Sequence, residues 1–272
     1  EVIIYLRGEF RDCHHILSDA IKSAPQLEPY NFRIVEGHGA YICGEETALI
    51  EALEGRRGEP RIKPPFPTEV GYLGLPTLMN NVETLANLPA ILNKGGVWYA
   101  AHQTKLYSIS GHVHKPGVYE LPMGVTMNAL IEIAGGAIGT PKAFIPGGAS
   151  AGFLPMSAAN IPLDFENLAK ADSMLGSAGV VLLNDTVDMA EASAWQAHFF
   201  AAESCGQCGP CRIGTRMVSQ AINRYRDTGN NIELHLIEDI AWEMKEGSIC
   251  GLGIAASAPI ESAMKHFPRD FA

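Results

Sequence analysis

The chain has 272 residues, of which 47% are hydrophobic, and a formal net charge of −10 at pH 7. This length predicts two or three compact units, since a typical domain has about 100–150 residues. The acidic balance excludes an ordinary nucleic-acid-binding protein, which needs a basic surface. The longest apolar runs, such as Gly179–Leu183, are far shorter than the roughly 20 residues of a membrane-spanning helix. We therefore expect a cytoplasmic protein with no membrane span. Because the first residue is Glu1 and a strand pattern follows at once, we expect the chain to be a fragment.

Strand and helix patterns alternate over residues 1–100, which is typical of an α/β domain. The predicted strands are Val2–Arg7 and Phe32–Glu36, and the predicted helices are Arg11–Ser23, Glu45–Leu53 and Val82–Leu92. Five prolines between Pro60 and Pro76 predict an ordered loop or lid, because proline disrupts the interior of helices and strands.

Residues 101–184 predict a small α+β domain of the β-grasp kind. Strands are expected at Leu106–Gly111, Gly117–Leu121 and Ala143–Ile145. A helix at Thr126–Ala134 is expected to end at the following pair of glycines.

Residues 185–272 predict an all-α four-helix bundle. Asp185 or Thr186 is expected to cap the first helix, which should run to about Ala202. The other three helices are predicted at Cys211–Arg226, Ile232–Lys245 and Ile254–His266.

The spacing of the cysteines is the strongest chemical signal. Cys205, Cys208 and Cys211 are separated by two residues each, and Cys250 lies in a glycine-flanked turn. Three closely spaced thiolates with a remote fourth are typical of a [4Fe–4S] site. A four-cysteine zinc site is the alternative, although structural zinc more often uses two separated pairs. Disulfides are a third possibility. Cys13 and Cys43 are expected to be small buried side chains.

Two further segments combine unusual residues before a helix. Gly39–Leu49 contains glycines followed by Glu45 and Glu46, and Asn80–Thr84 reads Asn-Asn-Val-Glu-Thr. Each could contact a nucleotide or flavin, the glycines by presenting a helix N-terminus to a phosphate. Each could also be purely structural, with the acids stabilising the first helical turn and Asn81 acting as a cap.

Taken together, these segments resemble one family. Tyr41–Leu49, Lys63–Pro67, Asn80–Thr84 and Ser204–Arg212 with Cys250 occur in the same order in the NADH-binding flavoprotein subunit of respiratory complex I. That family includes the diaphorase subunits of NAD-reducing hydrogenases and NAD-dependent formate dehydrogenases. The resemblance implies the last part of an FMN- and NADH-binding α/β domain, a ubiquitin-like β-grasp domain and a cluster-bearing four-helix bundle. The family's glycine-rich FMN loop would precede Val2.

The resemblance also implies roles for individual residues. Cofactor contacts are implied for Tyr41, Gly44 and Glu45 on the FMN, for Glu46, Lys63 and Phe66 on the NADH side, and for Asn80, Asn81 and Thr84 on the FMN phosphate and ribityl chain. Cys205, Cys208, Cys211 and Cys250 would bind the [4Fe–4S] cluster. NADH would deliver a hydride to FMN, and electrons would pass singly to the cluster, with no side chain acting as a nucleophile or general base.

The implied partners are a thioredoxin-like [2Fe–2S] subunit and a further iron–sulfur subunit, which could attach the chain peripherally to a membrane. The motifs do not distinguish complex I from formate dehydrogenase or hydrogenase. A different class, a non-catalytic binding module stabilised by iron–sulfur or zinc, is the alternative. We also expect the bundle and the cluster to fold as one unit, because metal binding and folding are coupled.

Overall fold

The computed structural model describes residues 1–272 and has a mixed α/β fold. The strands are β1 (Val2–Arg7), β2 (Phe32–Gly37), β3 (Thr104–Gly111), β4 (Gly117–Pro122), β5 (Pro141–Ile145), β6 (Leu154–Pro155) and β7 (Gly179–Asn184). The α-helices are α1 (Arg11–Lys22), α2 (Glu46–Leu53), α3 (Val82–Lys94), α4 (Gly96–His102), α5 (Met127–Ile133), α6 (Phe165–Lys170), α7 (Met189–Glu203), α8 (Gly209–Thr228), α9 (Ile237–Gly247), α10 (Gly251–Ala255) and α11 (Ala258–His266). None of them has both the length and the apolar composition that a membrane span requires.

The chain forms two compact units, the first made of residues 1–79 with 205–207 and the second of residues 80–204 with 208–272. In the first unit, β1 and β2 pair in parallel, with α1 between them in the chain. A parallel pair needs such a crossover, because a tight hairpin can join only antiparallel strands. The predicted strands and helices of this unit are confirmed to within about a residue, which is the usual disagreement at element ends.

The proline-rich segment of the first unit is ordered, as predicted. The amide of Arg61 donates to Thr47 Oγ1 at 2.8 Å, and its guanidinium donates to Glu51 and to the carbonyl of Gly71. The segment also contains a 3₁₀ turn at Tyr72–Gly74. These contacts hold the loop against the start of α2, where it presents Lys63.

The second unit contains a five-stranded sheet in the order β4-β3-β7-β5-β6. Strand β3 pairs antiparallel with β4 and parallel with the central strand β7, which in turn pairs antiparallel with β5. One apolar cluster contains Tyr107, Phe144 and Leu182 of the sheet and Leu130 of α5. The hydroxyl of Tyr107 donates to the carbonyl of Leu163 at 2.7 Å, which satisfies it inside this core.

A second apolar cluster joins the sheet to the C-terminal helices. Ala143 and Leu183 of the sheet belong to the same buried cluster as Ile222 of α8 and Ile260 of α11. The amide of Phe153 donates to Ser262 Oγ at 2.7 Å across this junction. The C-terminal helices therefore share a core with the sheet.

Three predictions for the C-terminal part were wrong in detail. The cap of α7 is Asp188, whose carboxylate accepts from the amide of Glu191 at 3.0 Å, rather than Asp185 or Thr186. The segment predicted as a helix from Ile232 begins as a 3₁₀ turn before α9. The last predicted helix is divided into α10 and α11, because Pro259 lacks the amide hydrogen that a continuous helix would need.

The two isolated cysteines also differ from expectation. Cys13 is exposed on α1, a helix that buries none of its residues, and Cys43 is only partly buried. The helical periodicity of α1 is confirmed, but only His14, Leu17, Ser18 and Ile21 are partly buried, and Cys13 lies outside this partly covered side.

Candidate functional site

Glu45 forms the N-cap of α2. Its Oε2 accepts hydrogen bonds from the amides of Thr47 and Ala48 at 2.8 and 2.9 Å, and from the hydroxyl of Thr47. Glutamate rarely caps a helix, but here it satisfies two of the amide hydrogens that the first turn leaves unpaired. Glu45 therefore stabilises the start of α2, and its carboxylate is held in one orientation.

Lys63 joins Glu45 to Glu46 across the start of the helix. Its Nζ lies 3.1 Å from Glu45 Oε1 and 2.8 Å from Glu46 Oε1. Burial raises the pKa of Glu45, but the hydrogen bonds from Thr47 and Ala48 and the Lys63 ammonium outweigh it, so the net pKa lies below the ordinary value. The hydrogen bond to Glu46 raises the pKa of Lys63, and the bond to Glu45 adds to this against burial. The pKa shifts of Glu45 and Lys63 thus both favour the ionised forms of this pair.

The other predicted residues of the first unit lie in neighbouring turns. Tyr41 and Gly44 are the ends of a single 3₁₀ turn that leads into Glu45. A β-carbon added at Gly44 would meet no atom within 4 Å, so the backbone is open to a ligand there. Phe66 is 52% exposed at the start of a turn that is held by the Glu69 carboxylate. The structure brings Glu45, Glu46 and Lys63 into contact and leaves Phe66 as an exposed apolar face.

Asn80, Asn81 and Thr84 lie at the start of α3 in the second unit. Asn81 is the N-cap, and its Oδ1 accepts from the amide of Glu83 at 2.9 Å. All three side chains are at the surface. The sequence analysis did not predict that the carboxylate of Glu83 pairs with Lys105 of β3. The only signal in the sequence is the position of Glu83 in the first turn after the Asn81 cap.

Three of the four predicted cluster cysteines lie at helix starts in the second unit. Cys208 is the N-cap of α8, Cys250 is the N-cap of α10, and Cys211 lies in the first turn of α8. Neither N-cap uses its side chain to cap the helix. The backbone amides of the first helical turn are unpaired within the helix. They therefore remain available to a group that is bound at these two helix starts.

Glycines allow these helix starts to approach each other. A β-carbon added at Gly253 of α10 would lie 2.9 Å from Cys211 Cβ and 2.4 Å from Ser248 Oγ. One added at Gly247 would lie 2.7 Å from Pro210 Cγ. The end of α9 and the start of α10 are thus packed against the start of α8, which brings Cys211 and Cys250 to the same end of the helices.

Cys205 belongs to the first unit. Its carbonyl accepts from Arg57 Nη2 at 2.6 Å, and the following Gly206 has a φ of +81°, which glycine adopts without strain. The carbonyl contact fixes the backbone on the N-terminal side of that turn.

The predicted donor set consists of four cysteine side chains. None of the six cysteines forms a disulfide, and no three His, Cys, Asp or Glu side chains of residues 1–272 meet at the spacing of a single metal ion. Four thiolates suit either a [4Fe–4S] cluster or a tetrahedral zinc ion. A β-carbon added at Gly209, next to Cys208, or at Gly251, next to Cys250, would meet no atom within 4 Å. The open backbone at both helix starts therefore fits a group as large as a cluster.

Three family models match the chain. The NADH-ubiquinone oxidoreductase-F iron-sulfur binding region matches residues 191–272, and the Nuo51 FMN-binding domain matches residues 1–90. The SLBB domain matches residues 106–154.

Curated relatives match nearly the whole chain. The F 2 subunit of the NADH-quinone oxidoreductase of Rhizobium meliloti (strain 1021) is 40% identical over 98% of this chain and 69% of the relative. The F subunit of the Streptomyces coelicolor enzyme is 39% identical over 98% of this chain and 64% of the relative. NADH dehydrogenase [ubiquinone] flavoprotein 1, mitochondrial, of Dictyostelium discoideum is 41% identical over 97% of this chain and 60% of the relative.

One solved structure is also similar to this chain over nearly its whole length. A chain in the crystal structure of an NAD⁺-reducing [NiFe]-hydrogenase in the H₂-reduced state matches with a TM-score of 0.90 and 35% identity. The match covers 99% of this chain and 48% of the hydrogenase chain. The chain thus spans about two thirds of the length of these curated relatives and about half of the hydrogenase chain.

Proposed function

This chain belongs to the family of the NADH-quinone oxidoreductase F subunits, and from that membership we propose that it is the flavoprotein part of a complex that oxidises NADH. Its family carries an FMN-binding domain and an iron–sulfur binding region. The observation that carries the proposal is the packing of Cys211 against Gly253, three residues after Cys250, at the shared end of α8 and α10. This packing supports the proposal, because it holds Cys211 and the segment that follows Cys250 close together.

We propose that Cys205, Cys208, Cys211 and Cys250 hold a [4Fe–4S] cluster. Bound FMN and the cluster supply the redox chemistry, since a flavin accepts a hydride and a cluster accepts single electrons. The protein contributes placement, because the starts of α8 and α10 carry backbone amides that are unpaired within the helix and are available to a bound cluster.

On the nucleotide side, we assign different tasks to adjacent residues. Glu46 and Lys63 are the more accessible members of the charged group, with side-chain exposures of 42% and 28%, and are proposed to contact NADH. Glu45 is proposed to line the FMN while it fixes the start of α2. Phe66 offers an apolar face to a base. Further FMN contacts are proposed for Tyr41, Gly44, Asn80, Asn81 and Thr84.

We propose three domains along the chain. Residues 1–100 would be the last part of the FMN and NADH domain, residues 101–184 a β-grasp domain, and residues 185–272 the cluster bundle. The strand order β4-β3-β7-β5-β6, with α5 between β4 and β5 in the chain, supports the β-grasp assignment. Helices α7, α8, α9 and α11 would form the bundle.

The relatives' names describe subunits, so partner proteins that accept electrons are expected. We propose a thioredoxin-like [2Fe–2S] subunit and a further iron–sulfur subunit. We also propose a cytoplasmic location, with peripheral attachment to a membrane through these partners.

A diaphorase module of an NAD-reducing hydrogenase is the second candidate. The hydrogenase structure matches 99% of this chain, which favours that assignment as much as complex I. An NAD-dependent formate dehydrogenase is a related possibility. Purification of the native complex and assay with hydrogen, formate and a quinone as separate redox partners would distinguish the three.

Anaerobic reconstitution of the chain with iron and sulfide tests the cluster. We expect about four iron and four sulfide per chain and a broad visible absorbance that dithionite bleaches. The Cys250→Ser variant is the control and should lose most of the iron. Stoichiometric zinc without sulfide would contradict the assignment. Titration with FMN, followed by bleaching with NADH, tests the flavin side separately.

A further inference from the structure

Two serine residues lie near Cys211. Ser204 Oγ lies 3.3 Å from Cys211 Sγ. Ser248 is close to the same residue, because a β-carbon added at Gly253 would approach both Ser248 Oγ and Cys211 Cβ. All of these residues belong to the second unit. Two hydroxyl groups from different helix ends therefore lie close to Cys211.

Neither hydroxyl is needed to end its helix. Ser204 and Ser248 are the C-caps of α7 and α9, and in each case the backbone amide donates to the last turn, at Phe200 and Met244 respectively. Both residues have extended backbone, so the chain leaves the helix at these positions. Capping therefore does not explain why a hydroxyl stands at either place.

Ser248 Oγ is buried and makes no hydrogen bond in the structure. Burying a hydroxyl without a partner is unfavourable, so native proteins rarely leave one unpaired without a reason. Here the neighbouring group is a predicted cluster ligand. The sulfur atoms of a bound cluster would provide the missing acceptor.

The protonation state of Cys211 decides the direction of the Ser204 contact. A cysteine that binds iron is a thiolate and has no proton to donate. Ser204 must then be the donor and Cys211 Sγ the acceptor. Hydrogen bonds to the sulfurs are among the factors that set the reduction potential of an iron–sulfur cluster.

We propose that Ser204 and Ser248 are positioning residues that raise the reduction potential of the cluster by donating hydrogen bonds to its sulfurs. Ser204 donates to Cys211 Sγ, and Ser248 donates to a sulfur of the bound cluster. Reduction adds negative charge to the sulfurs, so a donor stabilises the reduced state more than the oxidised state. This inference rests on the proposed function, since it requires the cluster.

The test is a redox titration of the reconstituted chain, followed by electron paramagnetic resonance of the reduced cluster. Ser204→Ala and Ser248→Ala are each expected to shift the reduction equilibrium about tenfold towards the oxidised state, which is a midpoint lower by about 59 mV for one electron. Ser248→Thr, which keeps the hydroxyl, is expected to restore part of the shift.

Ser193→Ala is the matched control. Ser193 Oγ is also buried and unpaired, but it lies eleven residues before Ser204 on α7, which is about 16 Å along the helix axis. It should leave the midpoint unchanged. A cluster that loads fully and keeps the wild-type midpoint in both alanine variants would overturn the proposal.

A second measurement covers the case in which the alanine variants do not load. In D₂O, the wild-type reduced cluster should show deuterons coupled to it that exchange within minutes, as hydroxyls do, whereas buried amides exchange slowly. If no such rapidly exchanging deuteron is found, the proposal is wrong. Failure of the wild-type chain to bind iron and sulfide would instead contradict the proposed function.

Discussion

Glu45 and Glu46 are adjacent acids with different environments. Glu45 accepts two backbone amides of α2, whereas Glu46 contacts only Lys63 among the hydrogen bonds of its side chain and remains partly exposed. Because both residues are glutamates, the sequence does not show this difference. Mutation of each residue by itself can measure it.

We expect Glu45→Ala to destabilise α2 by about 1 kcal/mol, as the loss of an N-cap usually does. Glu46→Gln should leave the helix intact and change the affinity for NADH or the inhibition by NAD⁺, because it removes an exposed charge. Hydrogen exchange at Thr47 and Ala48 measures the first effect, and NADH kinetics of the flavin-loaded protein measure the second. Equal exchange rates in both variants would contradict the assignment of helix capping to Glu45 alone.

Glu51 provides a pH-dependent contribution to the first unit. The hydrogen bond from Arg56 lowers the pKa of Glu51 to about 2, with burial opposing the shift and Arg61 adding to it. A carboxylate whose pKa is depressed on folding stabilises the fold above its unfolded value of 4.5, and this stability is lost as the pH falls towards 2.

We therefore expect α2 and the Arg61 loop to lose protection between about pH 4.5 and pH 2. Hydrogen exchange, corrected for its intrinsic pH dependence, measures this over residues 46–62. The Glu51→Gln variant carries no charge at that position and should show a weaker pH dependence in the same range. A wild-type profile identical to that of Glu51→Gln would refute the prediction.

Among the helices, the close approach of α10 to α8 depends on one glycine. The space where a Gly253 side chain would lie is taken by Ser248 Oγ and Cys211 Cβ. Gly251, two residues earlier in the same short helix, has no atom within 4 Å of its added β-carbon. The same substitution at Gly253 and at Gly251 can therefore be compared within one helix.

We expect Gly253→Ala to force the helix starts apart, to cost about 1–3 kcal/mol as overpacking does, and to remove most of the bound iron. Gly251→Ala should keep the iron and leave stability unchanged or slightly improved, since alanine favours a helix. Iron content after reconstitution and thermal unfolding measure both effects. Full iron loading of Gly253→Ala would show that the packing at this glycine does not matter to the site.

Across the chain as a whole, the core shared by the sheet and the C-terminal helices changes the expectation for cluster loss. From the sequence we expected the bundle and the cluster to fold as one unit. The structure shows that Ala190 of α7 and Ile222 of α8, with Ile260 and Phe271, are buried in one cluster with Ala143 of the sheet. Apolar burial of this kind stabilises the distant helix ends without iron.

We therefore expect Cys250→Ser to loosen the helix ends near the cysteines and to spare the core against the sheet. Hydrogen exchange should rise over residues 203–214 and 247–255 and remain slow near Ile222 and Ile260. Uniform loss of protection from Asp188 to the C-terminus, with the sheet unaffected, would restore the original expectation. The reconstituted wild-type protein is the reference.

Local patterns were enough to predict several features of this protein. Periodicity predicted strands β1 and β2, and capping chemistry predicted the start of helix α3 at Asn81. The spacing of Cys205, Cys208 and Cys211 is visible in the sequence itself. These features depend on the backbone of a few consecutive residues. Each could be predicted without knowledge of any other part of the chain.

Which distant residues meet could be learned only from the folded chain. Lys63 contacts Glu45 and Glu46 from a proline-rich loop, and Ser248 lies near Cys211 because Gly253 leaves room for it. Strand β7, whose sequence shows only a short apolar run, becomes the centre of the sheet. The physical reason is that such contacts depend on how whole elements pack, and packing is set by the sum of many weak side-chain contacts that no short stretch of sequence contains.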